Sequence, residues 1–478
     1  MIELENVSYC YPQGGKDALS GVSLSVRPGE CIFVTGPSGA GKTTLCMAAA
    51  GILEHEYGGK KGGRVTIRGR DVKEYPSLSD ISGLVGMVFD DPEAQLIFTT
   101  VEEEILSALE RRGLSPAEIE DRLSSIMEIT HLSLLKERAP HALSGGQKQR
   151  VVLATTLALG TDILILDEPT AELDEQGTES IVSVLKDLKA KGKTIILTEH
   201  KFSRFRDLAD RLVVMEGGRI RASGPPDQVA AEESVRRILL PDFSGIRDFS
   251  VPAPQNGNKP LISVQGLEHF YGDVPALRGV NLEIVPGEFI AIVGENGSGK
   301  TTLIKHFIGL LRPARGTVTV DGKNAATVPV SELAHTVGLV FQNPDHMFFA
   351  NTVAEEIKFG IANLGIPDPD NVLERVMEKT GLSHARDLYP RWLSRGERQR
   401  LAIACVLAMQ PKVIVLDEPT TGLDGRESRE IMEILKHLQR DGRAIVMVTH
   451  SRQIAEECTD RIIAMEGGKI ASDITRRR

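Results

Sequence analysis

Short continuous apolar runs recur along the chain, and helix-like segments of mixed polarity separate them. In the first half these runs are Cys31-Ile32-Phe33-Val34, Ile163-Leu164-Ile165-Leu166 and Thr194-Ile195-Ile196-Leu197. Apolar runs without polar alternation are typical of strands that are buried on both faces of a sheet. The pattern therefore predicts an α/β protein with a mostly parallel core sheet that helices cover on both sides.

The second half repeats this order of elements. Its matching runs are Phe289-Ile290-Ala291-Ile292-Val293, Val413-Ile414-Val415-Leu416 and Ala444-Ile445-Val446-Met447-Val448. Each half also has an opening strand-rich segment (residues 2–26 and 261–285), a further strand (64–68 and 317–320), a helix-rich insertion (93–159 and 345–409) and a closing hairpin pattern (211–220 and 461–470). A repeat of this length indicates that one domain has been duplicated.

We predict two domains, residues 1–240 and 261–478, that are joined by a linker at residues 241–260. Prolines and glycines interrupt any regular pattern in this linker: Pro241, Gly245, Pro252, Pro254, Gly257 and Pro260. The first domain is slightly longer, and most of its extra residues lie in the glycine-rich stretch 57–63, which we interpret as a surface turn.

Composition narrows the class of protein. The formal net charge of −10 and the pI near 5.7 argue against a nucleic-acid-binding protein with a broad basic face. No apolar run approaches the roughly eighteen residues of a membrane helix, and the first residues do not form a signal peptide. The 5 cysteines are scattered without metal-ligand spacing, so we expect reduced thiols and no zinc or iron–sulfur site. These features predict a soluble, cytoplasmic protein.

Two glycine-rich segments follow predicted strands and open predicted helices. They are Gly36-Pro37-Ser38-Gly39-Ala40-Gly41-Lys42-Thr43-Thr44 and Gly294-Glu295-Asn296-Gly297-Ser298-Gly299-Lys300-Thr301-Thr302. Glycines let backbone N–H groups approach phosphate oxygens, and the following helix directs its positive end at the same place. Each lysine would reach the β- and γ-phosphates, and Thr43 and Thr301 would hold Mg²⁺. Two copies in the same position argue against a chance glycine turn.

Acidic residues and a histidine follow the buried strands of each half. The segments are Asp167-Glu168-Pro169-Thr170 with Thr198-Glu199-His200, and Asp417-Glu418-Pro419-Thr420 with Thr449-His450. The aspartate at the strand end is placed to hold Mg²⁺ through water, and the next glutamate is placed to orient the attacking water. A strand-end histidine is usually a surface or capping residue. Its return at the same spacing of 250 residues favours a γ-phosphate sensor.

A serine precedes a predicted helix in each insertion. The segments are Leu143-Ser144-Gly145-Gly146-Gln147 and Leu393-Ser394-Arg395-Gly396-Glu397. Taken alone, such a serine is the N-cap of a helix. Serine and glycine at a helix N-terminus also form an anion site, which has no obvious ligand inside its own half.

These motifs, in the same order in both halves, resemble the nucleotide-binding subunits of ATP-binding cassette (ABC) transporters over nearly the whole chain. The resemblance implies tandem P-loop NTPase domains of ABC type that bind ATP with Mg²⁺ and hydrolyse the ATP. In that family the serine-glycine signature segment of one domain closes over the ATP held by the phosphate loop of the other domain. The resemblance therefore implies two ATP sites formed head to tail between the halves of this one chain.

The resemblance also implies an aromatic residue that stacks on adenine and a glutamine that contacts the γ-phosphate. Tyr11 and Tyr271 are the best matches for the aromatic residue, Tyr9 is a rival, and core packing is the alternative role for these side chains. Gln342 matches the glutamine, whereas the first half has Asp90 at the equivalent position.

Two residues depart from the family pattern: Asp90, and Arg395, which stands where the other signature segment has Gly145. Head-to-tail pairing would put both in the site that contains Lys42. Asp90 would add negative charge near a triphosphate. Arg395 would replace a glycine where the backbone must approach phosphate closely, although its guanidinium could itself grip an oxygen. We therefore hypothesise that the Lys300 site hydrolyses ATP faster and that the Lys42 site mainly binds it.

Members of this family drive membrane subunits, so the resemblance implies integral membrane transporter subunits as partners and a peripheral location at the cytoplasmic face of the cell membrane. The candidate docking residues are Leu96-Ile97-Phe98 and Met347-Phe348-Phe349, which could instead be ordinary core of the insertion. The segments Phe341-Gln342-Asn343-Pro344-Asp345 and Thr352-Val353-Ala354-Glu355-Glu356-Ile357 look most like the ATPases of energy-coupling-factor importers, which take up vitamins or transition-metal ions.

The competing hypothesis is a soluble tandem ABC ATPase that acts on ribosomes or DNA. Such relatives usually carry a long charged linker, a zinc site or cysteine clusters, and the linker here is short and punctuated by proline and glycine. We therefore expect no nucleic-acid partner. A purely structural binding module is disfavoured because each half has its catalytic carboxylate.

Overall fold

The computed structural model describes residues 1–12, 16–171, 173, 175–239, 243, 246 and 259–475. The chain divides into two compact units, Met1–Leu240 and Pro241–Arg478, which we call unit 1 and unit 2. Most of the predicted linker at residues 241–260 lies outside the described residues. Two of its described residues, Phe243 and Ile246, are buried in the hydrophobic core of unit 2.

Unit 1 contains antiparallel and parallel strands with helices between them. Its described strands are β1 (Ile2–Cys10), β2 (Leu19–Val26), β3 (Cys31–Thr35), β4 (Lys60–Ile67), β5 (Arg70–Asp71), β6 (Val85–Val88), β7 (Ile163–Asp167), β8 (Thr194–Thr198), β9 (Arg211–Glu216) and β10 (Arg219–Gly224). Its described helices are α1 (Lys42–Ala49), α2 (Ile52–His55), α3 (Leu78–Ser82), α4 (Val101–Glu110), α5 (Pro116–Ile129), α6 (Gly145–Ala158), α7 (Glu175–Ala190), α8 (Pro226–Ala231) and α9 (Glu233–Leu239).

Unit 2 repeats most of these elements in the same order. Its described strands are β11 (Ile262–Tyr271), β12 (Val274–Ile284), β13 (Phe289–Val293), β14 (Arg315–Val320), β15 (Lys323–Asn324), β16 (Val337–Val340), β17 (Val413–Asp417), β18 (Ala444–Val448), β19 (Arg461–Glu466) and β20 (Lys469–Thr475). Its described helices are α10 (Lys300–Phe307), α11 (Val330–Leu333), α12 (Val353–Asn363), α13 (Pro369–Thr380), α14 (Arg395–Ala408), α15 (Gly425–Arg440) and α16 (Arg452–Cys458).

Each unit has a core sheet and a smaller antiparallel sheet. The described strands of the core sheet of unit 1 are ordered β10-β9-β3-β8-β7-β6, and those of unit 2 are ordered β16-β17-β18-β13-β19-β20. All pairings in both core sheets are parallel except the closing hairpins, β9 with β10 and β19 with β20. The antiparallel sheets are ordered β2-β1-β4-β5 and β12-β11-β14-β15. The predicted α/β class, with a mostly parallel core sheet, an N-terminal antiparallel region and a helical insertion, is confirmed.

Strand β3 shows why the core strands are continuously apolar. Every residue of β3 is buried, and successive side chains point to opposite faces of the sheet. Ile32 and Val34 pack in one hydrophobic cluster, whereas Cys31 and Phe33 pack in another. Because the sheet has a core on each side, a polar side chain at positions 31–34 of this strand would be buried in an apolar core.

The parallel arrangement brings three loops of each unit to one edge of its core sheet. In unit 1, β3 pairs with β8, which in turn pairs with β7, and all three strands run in the same direction. The segments that follow β3, β7 and β8 therefore lie together, and these are the segments that carry the predicted phosphate loop, carboxylates and histidine. The corresponding strands of unit 2 are β13, β17 and β18.

The interpretation of residues 57–63 as a surface turn is wrong for residues 60–63. These residues are exposed, but they belong to β4 and pair with β1, for example Lys61 with Tyr9 and Gly62 with Ser8. The pairing register shifts between Glu5 and Ser8. Gly63, at this irregularity, has φ of 80°, and a β-carbon there would lie 2.4 Å from the carbonyl oxygen of Asn6. Glycine therefore allows a bulged strand here, where composition alone indicated a turn.

His306 is expected to make the stability of unit 2 depend on pH. It is a buried residue of α10, and its ring lies 4.9 Å from that of His269. Burial, together with the His269 ring, lowers the pKa of His306 to about 4, whereas an unfolded histidine titrates near about 6.5. The unfolded chain therefore binds more protons between these values. We expect the His306 contribution to stability to be complete above about pH 6.5 and to fall by up to about 3 kcal/mol as the pH drops toward 4.

His306→Ala tests this expectation, because unit 1 has Ala48 at the matching position of α1. The cavity lowers stability at every pH, but the extra loss on acidification should disappear. Urea unfolding of the wild type and the variant at pH 7 and pH 4.5 measures the difference. Equal losses on acidification would show that His306 does not titrate in this way.

Among the residues that the structure describes, no helix combines the length and the apolar character needed to cross a membrane.

Candidate nucleotide-binding sites

In each unit a glycine-containing loop connects a core strand to a helix. The loop of unit 1 leads from β3 to α1 at Lys42, and that of unit 2 leads from β13 to α10 at Lys300. The residue before each helix, Gly41 or Gly299, has a left-handed φ of 97° or 99°. Residues with a β-carbon rarely adopt this conformation, so the sharp turn into the helix requires glycine.

The first glycine of each loop packs against the backbone of a neighbouring strand. A β-carbon on Gly36 would lie 2.2 Å from the carbonyl oxygen of Met215 in β9, and one on Gly294 would lie 2.3 Å from that of Met465 in β19. The remaining predicted loop residues form the turn between: Pro37, Ser38, Gly39 and Ala40 in unit 1, and Glu295, Asn296, Gly297 and Ser298 in unit 2. The loop shape is therefore fixed by contacts that only glycine allows.

The loop lysines fold back over their own loops. Lys42 Nζ donates to the carbonyl oxygen of Gly36 at 3.0 Å, and Lys300 Nζ donates to those of Gly294 and Glu295 at 2.7 and 2.8 Å. Both lysines are only 6% exposed. Each ammonium group therefore lies at the centre of its loop, where a bound phosphate would replace its carbonyl partners.

Asp167 and Asp417 end β7 and β17 and are buried. In unit 2, Thr301 Oγ1 donates to Asp417 Oδ2 at 3.0 Å. In unit 1, burial raises the pKa of Asp167 to about 6, although hydrogen bonds from Thr198 and Thr43 favour its charged form. Burial likewise raises the pKa of Asp417. Each unit thus brings together a threonine hydroxyl and a carboxylate, an oxygen donor pair that suits Mg²⁺.

The glutamates after these aspartates have an unusual backbone conformation. Glu168 and Glu418 have positive φ values of 47° and 51°. Their backbone N–H groups donate to the carbonyl oxygens of Thr198 and Val448 at 3.1 and 3.0 Å, which holds them against the next strand. A non-glycine residue in this region is strained, and such strain is often found at functional sites.

Each of these glutamates contacts the predicted histidine of its own unit. His200 Nε2 lies 2.9 Å from Glu168 Oε1, and His450 Nε2 lies 3.1 Å from Glu418 Oε1. In unit 1, Lys42 Nζ is also 3.5 Å from Glu168 Oε1. Burial raises the pKa of Glu418 to about 7, against the hydrogen bond that it accepts from the backbone of His450. Residues that are far apart in the sequence thus form one cluster at the sheet edge.

A further buried carboxylate, Glu199, lies beside the cluster of unit 1, and it is not among the site residues predicted from the sequence. Its Oε1 accepts hydrogen bonds from Thr170 N and Thr170 Oγ1 at 2.8 and 2.5 Å. Burial raises the pKa of Glu199, and the nearby Glu168 carboxylate raises it further. Unit 2 has the neutral Thr449 at this position. Its position directly before His200 in the sequence could have indicated that this acidic residue lies near the site.

The signature serines are N-caps. Ser144 Oγ accepts from Gln147 N at 3.4 Å, and Gln147 Oε1 accepts from Ser144 N at 3.1 Å. Ser394 and Glu397 form the same reciprocal pair at 3.3 and 2.9 Å. Gly145 and Gly146 then open α6, while in α14 Arg395 and Gly396 take their places. The capping interpretation is confirmed, and it leaves the anion-binding role open.

The predicted aromatic residues differ in exposure. Tyr9 is buried, and its hydroxyl donates to the carbonyl oxygen of Gly58 at 2.5 Å, so it belongs to the core. Tyr11 is half-buried, and its hydroxyl lies 3.2 Å from Thr44 Oγ1 on the first turn of α1. Tyr271 is 52% exposed and contacts the His269 ring at 4.9 Å. Tyr11 and Tyr271 are therefore exposed enough to stack on an adenine base, whereas the buried Tyr9 is not.

Asp90 and Gln342 follow β6 and β16, and both are exposed. Asp90 lies close enough to Asp167 for its charge to raise the pKa of that carboxyl group. The substitution that distinguishes the first half thus adds negative charge near the predicted Mg²⁺ ligand of unit 1.

Thr302, like Thr44, is buried on the first turn of its helix.

The apolar residues after these positions are partly core and partly surface. In unit 1, Leu96 packs against the core, while Ile97 is 82% exposed. In unit 2, Phe348 is buried and Phe349 is 63% exposed.

A buried glutamate holds each of these loops to its helix. Glu104 Oε2 accepts from the N–H groups of Ile97 and Phe98 at 2.9 and 2.8 Å. Glu356 Oε2 accepts from those of Phe349 and Ala350 at 2.9 and 2.7 Å. These hydrogen bonds fix each loop to α4 or α12, so its exposed apolar side chains are presented on a defined backbone.

The chain is similar to known proteins along nearly its whole length. The family model described as ABC transporter matches residues 19–171 and 277–421. A protein of Methanosarcina acetivorans named as an ABC transporter ATP-binding protein is 50% identical over 480 residues, which cover 100% of this chain and 91% of that protein. A protein of Caldanaerobacter subterraneus with the same description is 39% identical over 504 residues, covering 96% of this chain and 88% of its own. The solved structure of CbiO1 from Clostridium perfringens, titled as part of the ABC transporter complex CbiONQ, is 35% identical, covers 46% of this chain and 89% of its own, and has a TM-score of 0.43.

Proposed function

The chain belongs to the family of ABC transporter ATP-binding proteins, and we propose that it is the energy-coupling ATPase of an importer for a vitamin or a transition-metal ion. Members of this family bind and hydrolyse ATP. One arrangement of side chains supports ATP hydrolysis by this chain. In each unit, the loop lysine, the strand-end aspartate and the glutamate–histidine pair lie along one edge of a core sheet. Both halves of the chain therefore retain the groups that ATP hydrolysis needs.

The roles of the individual residues follow from their positions. Lys42 and Lys300 bind the β- and γ-phosphates with the backbone of their loops. Thr43 with Asp167, and Thr301 with Asp417, would hold Mg²⁺, whose charge would stabilise the phosphate oxygens. Glu418 orients and polarises the attacking water, and His450 contacts the γ-phosphate.

In the proposed arrangement, the serine-led tips of α6 and α14 would complete the nucleotide sites. We propose that the α6 tip, with Ser144 and Gly146, binds the nucleotide at Lys300, and that the α14 tip binds the nucleotide at Lys42. The first N–H groups of a helix have no partner within the helix itself, and its N-terminus is positive, which suits a phosphate. Closure of the two halves around ATP would then supply the movement that drives transport.

The two sites are proposed to work at different rates. Head-to-tail pairing would put the departures Asp90 and Arg395 in the Lys42 site, and Asp90 lies near Asp167. Added negative charge near a triphosphate weakens its binding or must be compensated. The Lys300 site has Gln342 and two glycines at its signature segment, so we propose that it hydrolyses ATP faster.

Docking to integral membrane subunits would use the exposed apolar residues of the insertions, with the chain peripheral to the cytoplasmic face of the membrane. Ile97 and Phe349 are exposed on loops that buried carboxylates hold in place. An aromatic or aliphatic side chain on a fixed backbone suits a groove contact with a partner helix. The importer subclass rests on the sequence segments around Gln342 and Glu356.

Purification of the tagged chain from membranes of its native host tests this function. We expect a small integral membrane protein to co-purify and, after reconstitution into liposomes, to raise the ATP turnover of the chain. Ile97→Ser with Phe349→Ser should remove this stimulation and leave the turnover of the isolated chain unchanged. Retention on ribosomes or DNA, without a membrane protein, would instead support a soluble ABC ATPase.

A further inference from the structure

The buried carboxylate of Glu199, directly after β8, connects segments of unit 1 that follow two different strands. Its Oε1 accepts hydrogen bonds from Thr170 N and Thr170 Oγ1, and its Oε2 accepts one from His200 N at 3.2 Å. Its own N–H donates to the carbonyl oxygen of Val34 in β3 at 3.2 Å. Only 3% of Glu199 is exposed. A buried carboxylate with three donors is held in one position, so Glu199 fixes the segments after β7 and β8 to each other.

These hydrogen bonds close a ring of contacts around the glutamate and the histidine of unit 1. Thr170 is two residues after Glu168 in the chain, and His200 is the residue after Glu199. The side chains of Glu168 and His200 meet at 2.9 Å and complete the ring. Because Glu199 ties the two backbone segments together, it sets the distance across which these two side chains must reach each other.

Unit 2 holds its histidine in a different way. His450 N donates to Glu418 Oε2 at 3.3 Å, so the glutamate that contacts the histidine ring also accepts the backbone N–H of the histidine. Thr449 stands where unit 1 has Glu199. In unit 1 the backbone N–H of the histidine is bound by Glu199, and its ring contacts Glu168. Unit 1 therefore divides between two carboxylates the two contacts that one carboxylate makes in unit 2.

We propose that Glu199 is a positioning residue for ATP hydrolysis by unit 1, which holds Glu168 and His200 in contact so that Glu168 can orient the attacking water. This inference rests on the proposed roles of Glu168 and His200 in hydrolysis. Glu199 acts through these two residues and does not itself contact the nucleotide. Because a misplacement of a catalytic group by about 1 Å can lower a rate about 100-fold, a residue that fixes this geometry controls turnover without binding ATP.

Glu199→Gln tests the inference in the full chain. In a Glu418→Gln background, the remaining turnover is expected to come from unit 1. Glutamine keeps the shape of the side chain, but its amide group replaces one acceptor oxygen by a donor, so the contact with either Thr170 or His200 is lost. We expect kcat, measured as release of labelled phosphate, to fall about tenfold and the KM for ATP to stay within about twofold. Thr170→Val removes only the hydroxyl donor and should lower kcat less.

Glu30→Gln in the same background is the matched control. Glu30 is also a largely buried carboxylate, which accepts from Arg27 N at 2.8 Å and lies 2.9 Å from Arg211 Nε. It precedes β3 and so lies at the opposite edge of the core sheet. We expect it to lower the Tm and to leave kcat unchanged. An unchanged kcat in Glu199→Gln, or an equal fall of kcat in Glu30→Gln, would overturn the inference.

Glu168→Gln in the same background tests the proposed function separately, and it should remove most of the remaining turnover. Loss of turnover in Glu168→Gln without a loss in Glu199→Gln would leave the proposed role of Glu168 standing and refute the inference. No loss in Glu168→Gln would refute the proposed role of Glu168, and the inference with it.

Discussion

Glu418→Gln is expected to lower ATP turnover by at least about tenfold, whereas Glu168→Gln should lower it less than about threefold. Both substitutions remove a carboxylate that contacts the histidine of its own unit, at 3.1 Å for His450 and 2.9 Å for His200. Glutamine keeps the shape and cannot accept a proton from water. The losses differ because the Lys300 site is proposed to carry most of the hydrolysis.

Steady-state phosphate release at saturating Mg²⁺ and ATP measures both losses. Binding of a fluorescent ATP analogue is the control, since neither substitution removes the loop that binds phosphate. Equal losses would show that the two sites hydrolyse ATP at equal rates, and a larger loss in Glu168→Gln would reverse the assignment.

Gly294→Ala is expected to lower the affinity of unit 2 for ATP by more than about tenfold and to reduce its free energy of unfolding by about 3 kcal/mol. The new β-carbon would lie 2.3 Å from the carbonyl oxygen of Met465 and 2.8 Å from Ser298 Oγ, and φ is 150°. Backbone must therefore move at the point where β13 enters the phosphate loop. The displaced loop would no longer direct its N–H groups at one phosphate.

Gly287→Ala is the matched control. Its φ is 76°, nothing lies within 4 Å of the added β-carbon, and it is outside the phosphate loop. Gly287→Ala should therefore lower the free energy of unfolding only by the conformational strain, about 1 kcal/mol, and leave ATP affinity unchanged. Urea unfolding and titration with the fluorescent analogue distinguish the two variants. Equal effects of both would mean that the contact with Met465 does not shape the loop.

The fold could be predicted from the sequence because a strand that is buried on both faces of a sheet has apolar residues at successive positions. Cys31, Ile32, Phe33 and Val34 are all apolar, since alternate residues enter two different cores. The extension of β4 could not be predicted in this way. Gly62 and Gly63 resemble a turn in composition, and only their pairing with β1 shows the strand.

The candidate sites were predictable as far as they follow strand ends. Parallel strands bring their carboxyl ends to one edge, so Lys42, Glu168 and His200 were expected to meet. The surroundings of the signature segments were not predictable, because the contact between Gly396 and Glu427 depends on how α14 packs against α15. No periodicity in the sequence reports a contact between residues that distant. Exposure of a single tyrosine is equally a matter of tertiary packing, which is why Tyr9 could not be separated from Tyr11.

The buried carboxylate of Glu356 holds the loop at Phe349 firmly to helix α12. Its two hydrogen bonds to Phe349 and Ala350 prevent the loop from yielding by itself when a force acts on the phenyl ring. A force on the phenyl ring would therefore be transmitted to α12 with little deformation of the loop. In unit 1, Glu104 holds the loop at Ile97 to α4 in the same way.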